Sequence, residues 1–182
     1  MTVKGIKVRQ FKFCDIEERV KLINNPKIHS HMYFDLPATI QKTQKWFNKK
    51  DNYRRSDFTF INKKDNVIGM SGITNFDEYN SKAEFYVMVS PAYQGMGYGT
   101  SISKWTFNYG FLVFNLNKLF LFTDNDNPPS YRIYEKAGFK LEGILRQHSK
   151  KDGIYRDRRL YGLLQEEWIQ LPWKRNKIVY EL

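Results

Sequence analysis

The feature that most restricts the fold of this chain is the stretch Val87–Gly99, with the sequence VMVSPAYQGMGYG. An apolar run with strand composition stops at Pro91, a glycine-rich turn follows, and a segment with helical apolar periodicity begins at Thr100. In such a strand–turn–helix unit, glycines let the backbone approach an anion, and the unpaired N–H groups of the first helical turn face it. The stretch therefore predicts a phosphate-binding loop.

The glycine spacing excludes two common phosphate loops. The turn lacks the Gly-Lys-Ser/Thr ending of a Walker loop. Its glycines Gly95, Gly97 and Gly99 alternate with single residues, which differs from the G-x-G-x-x-G dinucleotide fingerprint, and the stretch lies in mid-chain.

The composition is that of a globular chain, with 182 residues of which 41% are hydrophobic and 27% charged. We expect a single domain over residues 1–182, because no linker or internal repeat interrupts the sequence. No apolar run reaches the ~20 residues that span a bilayer, and no signal peptide is apparent. Cys14 is the only cysteine, which suits a reducing compartment. We therefore expect a cytoplasmic protein without a membrane partner, in which Cys14 is an incidental thiol rather than a nucleophile.

The formal net charge of +11 is spread along the chain. A basic surface attracts anions such as nucleotide phosphates, acidic substrates or RNA, although a solvated surface explains most of these charges equally well. No cluster of aromatic and basic residues indicates a nucleic-acid platform, and we expect no DNA partner.

Periodicity and turn signals predict seven strands and about four helices. The predicted strands are Ile6–Phe13, Phe58–Ile61, Val67–Phe76, Lys82–Val89, Lys118–Thr123, Phe139–Gln147 and Ile154–Leu164. The predicted helices begin at the caps Asp15 and Thr39, and extend over Thr100–Asn115 and Tyr131–Ala137. Short polar turns favour an antiparallel meander of the second to fourth strands, and a strand–helix–strand succession then implies a parallel crossover. The result is a mixed, mostly antiparallel α/β (α+β) sheet flanked by helices.

Three further stretches are interpreted from local signals. Asp152-Gly153 predicts a β-hairpin, and the tail Gln165–Leu182, with two tryptophans, is expected to dock on the core. Trp46 lies on an apolar helix face and is interpreted as core. His29 and His31 do not share a helix face and have no third ligand nearby, so no metal site is predicted; a substrate-facing role for one of them stays open.

Two segments together resemble the signatures of the GCN5-related N-acetyltransferase (GNAT) superfamily. Val87–Gly99 is similar to its strand and Q/R-x-x-G-x-G loop, and Asn127–Phe139 (NPPSYRIYEKAGF) resembles its second signature, N-x-x-A/S-x-x-x-Y-E-K-x-G-F. The order of elements also fits along nearly the whole chain. The hairpin Gly153–Asp157 is similar to the branch of ribosomal-protein, spermidine and amino-sugar acetyltransferases, and Ala83-Glu84-Phe85 is similar to spermidine acetyltransferases.

The resemblance implies acetyl-CoA as co-substrate and no metal. In the family, backbone N–H groups of the loop bind the pyrophosphate, and the thioester lies where two parallel strands splay, here Lys82–Val89 and Lys118–Thr123. Pantetheine would pair with free backbone groups near Met88 and Val89, and an N–H near Met88 would polarise the thioester carbonyl. The implied cofactor-binding residues are Met88, Val89, Gln94, Gly95, Met96, Gly97, Tyr98, Gly99, Thr100, Asn127 and Ser130.

Two residues receive catalytic roles by the resemblance. Tyr134 holds the position of the family's general acid, which protonates the departing thiolate. Glu84, which shares a strand face with Tyr86 and Met88, is the candidate base for the amine, acting through water. A surface glutamate on an edge strand is an equally good interpretation of Glu84.

The signatures also contain departures and undecided positions. Met96 stands where the family often has lysine or arginine, and Pro128-Pro129 stiffens the second signature. Asn127 would bond either pantetheine or the loop backbone, and Ser130 would contact CoA or cap its helix.

The acceptor is the least constrained part of the prediction. We expect acetyl transfer to a primary amine of a small molecule, such as an amino sugar, a polyamine or an amino-bearing antibiotic. One alternative acceptor is a protein N-terminus, as in a ribosomal protein. Another alternative is a non-catalytic module that only binds acyl-CoA. The positive charge argues against a polycationic acceptor. His29–Phe34, the Asp77–Ser81 turn and the hairpin around Tyr155 are expected to form the acceptor side, and a homodimer stays open.

Overall fold

A computed structural model describes residues 5–49 and 54–175. Its strands are β1 Lys7–Gln10, β2 Ser56–Ile61, β3 Val67–Asp77, β4 Lys82–Val89, β5 Lys118–Asp124, β6 Lys140–Lys151 and β7 Ile154–Leu164. Its helices are α1 Ile16–Asn24, α2 Pro26–His29, α3 Ile40–Lys49, α4 Tyr98–Val113, α5 Pro128–Lys136 and α6 Gln165–Gln170. Among these described residues, no helix is both long and apolar enough to cross a membrane.

The seven strands form one sheet in the order β1-β2-β3-β4-β5-β7-β6. All neighbouring strands are antiparallel except β4 and β5, which are parallel. The predicted mixed, mostly antiparallel α/β sheet is confirmed, together with the meander of β2 to β4, the crossover through α4 and the β6–β7 hairpin. Asp152 and Gly153 at the hairpin turn have φ values of 50° and 81°, as a two-residue type I′ turn requires.

The parallel pair separates soon after it begins. Its register runs only from Lys82 opposite Lys118 to Glu84 opposite Phe120, although β4 continues to Val89 along β3. The two strands therefore diverge at the centre of the sheet, and the predicted splayed pair is confirmed.

The two faces of the sheet are covered by different helices. On one face α4 packs with aromatic contacts such as Phe58 against Trp105, at 4.8 Å between ring centroids. On the other face Met70 and Met88 are buried under the segment that contains α1, α2 and α3. Because side chains alternate along a strand, Glu84 and Tyr86 share the face of Met88.

Two helix starts illustrate where local signals hold and where they fail. Thr39 caps α3 as predicted, since its Oγ1 accepts a hydrogen bond from the Lys42 N–H at 3.1 Å. Asp15 is the N-cap residue of α1 as predicted, but its carboxylate makes no cap hydrogen bond to that helix. Instead it accepts hydrogen bonds from Arg9, Lys12 N–H and Thr59 Oγ1, which ends β1 early and forms a 3₁₀ turn.

The tail docks on the core as far as it is described. Trp168 is 3% exposed and donates its Nε1–H to Asn108 at 2.9 Å, and Trp173 packs against the same core. The rest of the predicted tail, residues 176–182, lies outside the described residues.

Candidate active site

A cleft of about 1120 Å³ opens where β4 and β5 diverge. Its walls come from α1 and the segment up to α3, from the face of β4 that carries Glu84, from the glycine loop, and from α5. It contains most of the predicted site residues, namely Glu84, Met88, Val89, Gln94, Gly95, Gly97, Gly99, Thr100, Asn127, Ser130 and Tyr134.

The glycine loop adopts the conformation that its glycines allow. Gly95 and Gly97 have φ values of 77° and 82°, in the left-handed region that other residues avoid. Gly97 is the N-cap of α4, so the helix begins at Tyr98, two residues earlier than predicted. The 16-residue helix thus presents the N–H groups of its first turn, with their partial positive charge, at the mouth of the cleft.

Two of the predicted loop residues, Met96 and Tyr98, are not among the described residues that line the cleft. Met96 is 61% exposed, and Tyr98 packs edge-on against Tyr93. Only their backbones belong to the loop that faces the cleft.

The end of β4 is less open than the sequence suggested. The carbonyl of Val89 accepts a hydrogen bond from Gln94 Nε2 at 3.0 Å, so this backbone acceptor already has a partner. The Met88 side chain is buried, and only its backbone can meet a ligand. What remains available is the edge of β4 beyond Glu84 that faces the diverging β5.

Tyr134 lies on α5 with its ring buried and its side chain on the cleft wall. Phe85 and Phe139 hold the ring at centroid distances of 6.1 and 6.2 Å. Burial raises the pKa of Tyr134, and a hydrogen bond with Ser130 offsets part of that rise. The phenol is therefore protonated at neutral pH and can donate a proton.

The second signature forms a capped helix start. Asn127 is the N-cap of α5, and its Oδ1 accepts the Ser130 N–H at 3.3 Å. Asn127 therefore caps α5 through the Ser130 backbone, and Ser130 is not the cap. The Ser130 hydroxyl instead lies beside Tyr134. A contact of either residue with CoA or its pantetheine arm stays a prediction.

Glu84 is half-buried on the β4 wall, opposite Phe120 of β5. Its carboxylate accepts a hydrogen bond from Asn75 Nδ2 at 2.7 Å. Burial raises the pKa of Glu84, while the Asn75 hydrogen bond and the charge of Arg158 oppose the rise. The carboxylate is thus oriented and more basic than an ordinary glutamate.

A group of charged and aromatic residues at the cleft wall was not predicted; we name Arg19, Trp46, Arg55, Asp57 and Tyr86 the arginine–tryptophan cluster. Four of its members line the cleft, and the buried Asp57 does not. The guanidinium carbons of Arg19 and Arg55 lie 4.3 and 4.9 Å from the Trp46 ring. Arg55 donates two hydrogen bonds to Asp57, at 2.7 and 2.8 Å.

Tyr86 connects the two halves of this cluster. Its hydroxyl donates to Asp57 at 2.6 Å and accepts from Arg19 at 3.4 Å. Burial raises the pKa of Asp57, but Arg55 and Tyr86 outweigh it, so the pKa lies below its usual range. Trp46 is therefore both core, as predicted, and part of the cleft wall. One sequence feature could have indicated Arg19: it is a charged residue on the apolar stripe of α1, between Ile16 and Leu22.

Of the stretch His29–Phe34 that was expected on the acceptor side, His31, Met32, Tyr33 and Phe34 line the cleft. Among the described residues, His29, the Asp77–Ser81 turn and Tyr155 do not. Asn75 and His148 occupy that side instead.

His31, Asp124 and Asp126 bring possible metal-ligand atoms within 4.8 Å of one another. Asp124, however, is fully buried and already accepts from Tyr33 at 3.0 Å and pairs with Arg158 at 3.0 Å. Arg156 also approaches Asp126 at 3.6 Å. These partners neutralise the carboxylates, and we assign no metal to this group.

Comparison with known proteins decides the family. A family model for the acetyltransferase (GNAT) domain matches residues 6–140. The chain belongs to the GNAT acetyltransferase family. This GNAT protein is accordingly an N-acetyltransferase with acetyl-CoA as its co-substrate.

Named relatives of this GNAT protein include polyamine enzymes. Spermidine N(1)-acetyltransferase of Escherichia coli is 28% identical over 166 residues, covering 91% of this chain and 89% of the relative. The enzyme of the same name from Vibrio cholerae is 27% identical over 150 residues, covering 81% and 86%. A crystal structure of spermidine N-acetyltransferase from Vibrio cholerae in complex with CoA and spermine superposes with a TM-score of 0.85 at 25% identity, covering 91% of this chain and 99% of that one.

Proposed function

We propose that this chain transfers the acetyl group of acetyl-CoA directly to a primary amine of a small molecule inside the cleft. The observation that carries the proposal is that the Gly97-capped start of α4 and the Tyr134 side chain face one cleft, at the point where β4 and β5 diverge. The cytoplasmic location, the 1–182 domain limits and the absence of DNA and membrane partners stay predictions, and the homodimer stays open.

The residues present fit the co-substrate. The first turn of α4 offers N–H donors and a positive dipole end to the pyrophosphate, and the left-handed Gly97 brings the backbone close. At about 1120 Å³, the cleft exceeds the roughly 300–1,000 Å³ of typical ligand pockets, which leaves room for a second substrate. Acetyl-CoA supplies an activated acetyl thioester there.

Tyr134 and Glu84 complete the proposed chemistry. The Tyr134 phenol, kept protonated by burial, donates a proton to the departing sulfur. Glu84, oriented by Asn75, takes a proton from the incoming ammonium through water, because the amine attacks only in its neutral form. Its raised pKa makes it a better base than an exposed glutamate.

The relatives make a polyamine the first acceptor to test, since two are named spermidine acetyltransferases. The net charge of +11 disfavours a polycation, but it is spread along the chain and does not by itself describe the cleft. The residues that line this cleft nevertheless carry more positive than negative charge. The acidic ones are Asp35 and Glu84, and the basic ones are Arg19, Lys27, Lys42, Arg55 and Arg158.

The test is release of free CoA thiol from acetyl-CoA in the presence of a panel of amines, with products identified by mass spectrometry. The panel contains spermidine, glucosamine, an aminoglycoside and peptides with free N-termini. We expect acetylation of small primary amines. Turnover of peptides alone would support the protein N-terminus instead, and acetyl-CoA binding without any turnover would support a non-catalytic module.

A further inference from the structure

Arg19 combines deep burial with a position on the cleft wall. It is 6% exposed, on α1, and its guanidinium packs over Trp46 at 4.3 Å and Phe11 at 5.7 Å. Its one side-chain hydrogen bond goes to Tyr86 Oη at 3.4 Å, close to the upper limit for such a bond. Within residues 5–49 and 54–175, no carboxylate oxygen lies within 4.0 Å of it.

The neighbouring carboxylate is shared between two arginines, because the charges of Arg55 and Arg19 both lower the pKa of Asp57. Asp57 accepts two hydrogen bonds from Arg55 and one from the Tyr86 hydroxyl. The arginine–tryptophan cluster thus contains two guanidinium groups and one carboxylate, which leaves one positive charge in excess. A buried guanidinium without an anionic partner is costly, and its planar fork of N–H donors matches a carboxylate or a phosphate.

The position of Arg19 separates this charge from the CoA phosphates. Its partner Tyr86 lies on β4 between Glu84 and Met88, about 7 Å before Met88 at the ~3.3 Å rise per strand residue. The glycine loop lies beyond Val89, on the other side of Met88 from Tyr86. An anion at Arg19 would therefore lie past the thioester end of the co-substrate, on the side from which the amine enters.

Gly72 shows that the sheet makes room for this arrangement. A Cβ at Gly72 would lie 2.6 Å from a ring carbon of Tyr86 and 3.2 Å from the Asp57 carboxylate. The absence of a side chain there allows the Tyr86 ring to lie across β3 and direct its hydroxyl towards Asp57 and Arg19.

We propose that Arg19 binds an anionic group of the acceptor, so that the substrate class is a primary amine that also carries a carboxylate or a phosphate. This inference rests on the proposed function and narrows its acceptor. Spermidine carries no such group, so this chain would differ in acceptor from the relatives named for spermidine.

The first test compares matched amines on the wild-type protein. Glucosamine 6-phosphate is compared with glucosamine, lysine with cadaverine, and spermidine is included as a polyamine without an anionic group. We expect kcat/KM for the anionic member of at least one pair to exceed that of its partner and of spermidine by about tenfold or more, the value of one charge-assisted hydrogen bond. The pair that shows the preference distinguishes phosphate from carboxylate.

The second test uses Arg19→Gln, Arg19→Lys and the control Lys21→Gln. Lys21 is on the same helix but 70% exposed, so its replacement makes the same change in net charge away from the cleft. Arg19→Gln should raise KM for the anionic amine about tenfold and leave kcat and acetyl-CoA affinity within about threefold. Arg19→Lys should restore part of the preference, and Lys21→Gln should leave it intact.

The outcomes separate the two proposals. Equal kcat/KM for amines with and without an anionic group, or an anion preference that survives Arg19→Gln, would overturn the role of Arg19 and leave the proposed function intact. No turnover of any amine by a protein that binds acetyl-CoA would refute both. Thermal unfolding of each variant is measured in parallel. A folding defect would lower kcat and acetyl-CoA affinity together, whereas loss of the anion contact would raise KM for one class of amine.

Discussion

Replacing Tyr134 by phenylalanine removes one hydroxyl group and little else. The ring is buried between Phe85 and Phe139, and phenylalanine keeps both aromatic contacts. The hydroxyl has Ser130 as its described hydrogen-bond partner. Because the ring packing stays, the expected loss in the free energy of unfolding is at most about 1 kcal/mol, the value of one neutral hydrogen bond.

The expected loss in turnover is much larger. A positioned general acid contributes roughly 10²–10⁴-fold to the rate, which is about 2.7–5.5 kcal/mol at 1.36 kcal/mol per tenfold. Tyr134 acts in its protonated form and its pKa is raised. At any pH below about 10, ionisation of Tyr134 should therefore not lower the wild-type kcat. Acetyl-CoA affinity should stay within about threefold, since the phosphates bind elsewhere.

The assay is kcat from thiol release at saturating amine, with acetyl-CoA affinity from calorimetry and stability from thermal unfolding. Tyr109→Phe is the matched control, because Tyr109 is also buried and stacks on Trp105 in the core, away from the cleft. The control should lose some stability and keep its kcat. If Tyr134→Phe retained kcat within about threefold of the wild type, Tyr134 would not be the acid.

Three further predictions concern the loop, the base and the fold. Gly97→Val should weaken acetyl-CoA binding at least about tenfold in calorimetry, because a β-branched residue is strained at φ 82°. The control Gly143→Ala should leave that affinity unchanged, because a Cβ at this strand glycine would lie in open space. Glu84 acts in its deprotonated form, so wild-type kcat should fall as the pH drops through its raised pKa. Glu84→Gln should remove this acidic limb from the pH profile of kcat, and a limb that persists in the variant would mean that another group is the base. Asp15→Asn should lower the free energy of unfolding in urea by about 2–4 kcal/mol, a range that already allows for the partial exposure of Arg9. It should not change kcat of the folded protein.

The fold was predictable where its signals are local. The turn at Asp152-Gly153 has its chemistry in two adjacent residues, and the apolar alternation of each strand is a property of a few neighbours. Asp15 is at the predicted cap position, but its carboxylate does not cap α1, because it accepts hydrogen bonds from Arg9 and Thr59, and Thr59 lies on another strand. Such a competition between a local cap and a distant partner is decided by tertiary packing, which periodicity does not describe.

The site was predictable only through its two signatures. They place the glycine loop and Tyr134 in one cleft, which local patterns alone would not have related. The pairing of the Gln94 amide with the Val89 carbonyl was missed, because it depends on how the loop folds back over the end of β4. The stretch His29–Phe34 was placed at the cleft correctly, but the two turns were not: that wall is built by packing the α1–α3 segment against β4, and no turn signal reports that contact.

The net charge of +11 was a poor guide to the acceptor because it is spread over the surface. Charges on a solvated surface are screened beyond about 8–10 Å, so together they attract anions weakly and select none. Arg19 acts differently, since Trp46 and Phe11 exclude water around it and its interaction with a cleft anion is stronger at low dielectric. Neutralising exposed lysines should therefore change the salt dependence of acetyl transfer but not the preference within the amine pair that shows one. The single change Arg19→Gln should alter that preference at constant salt.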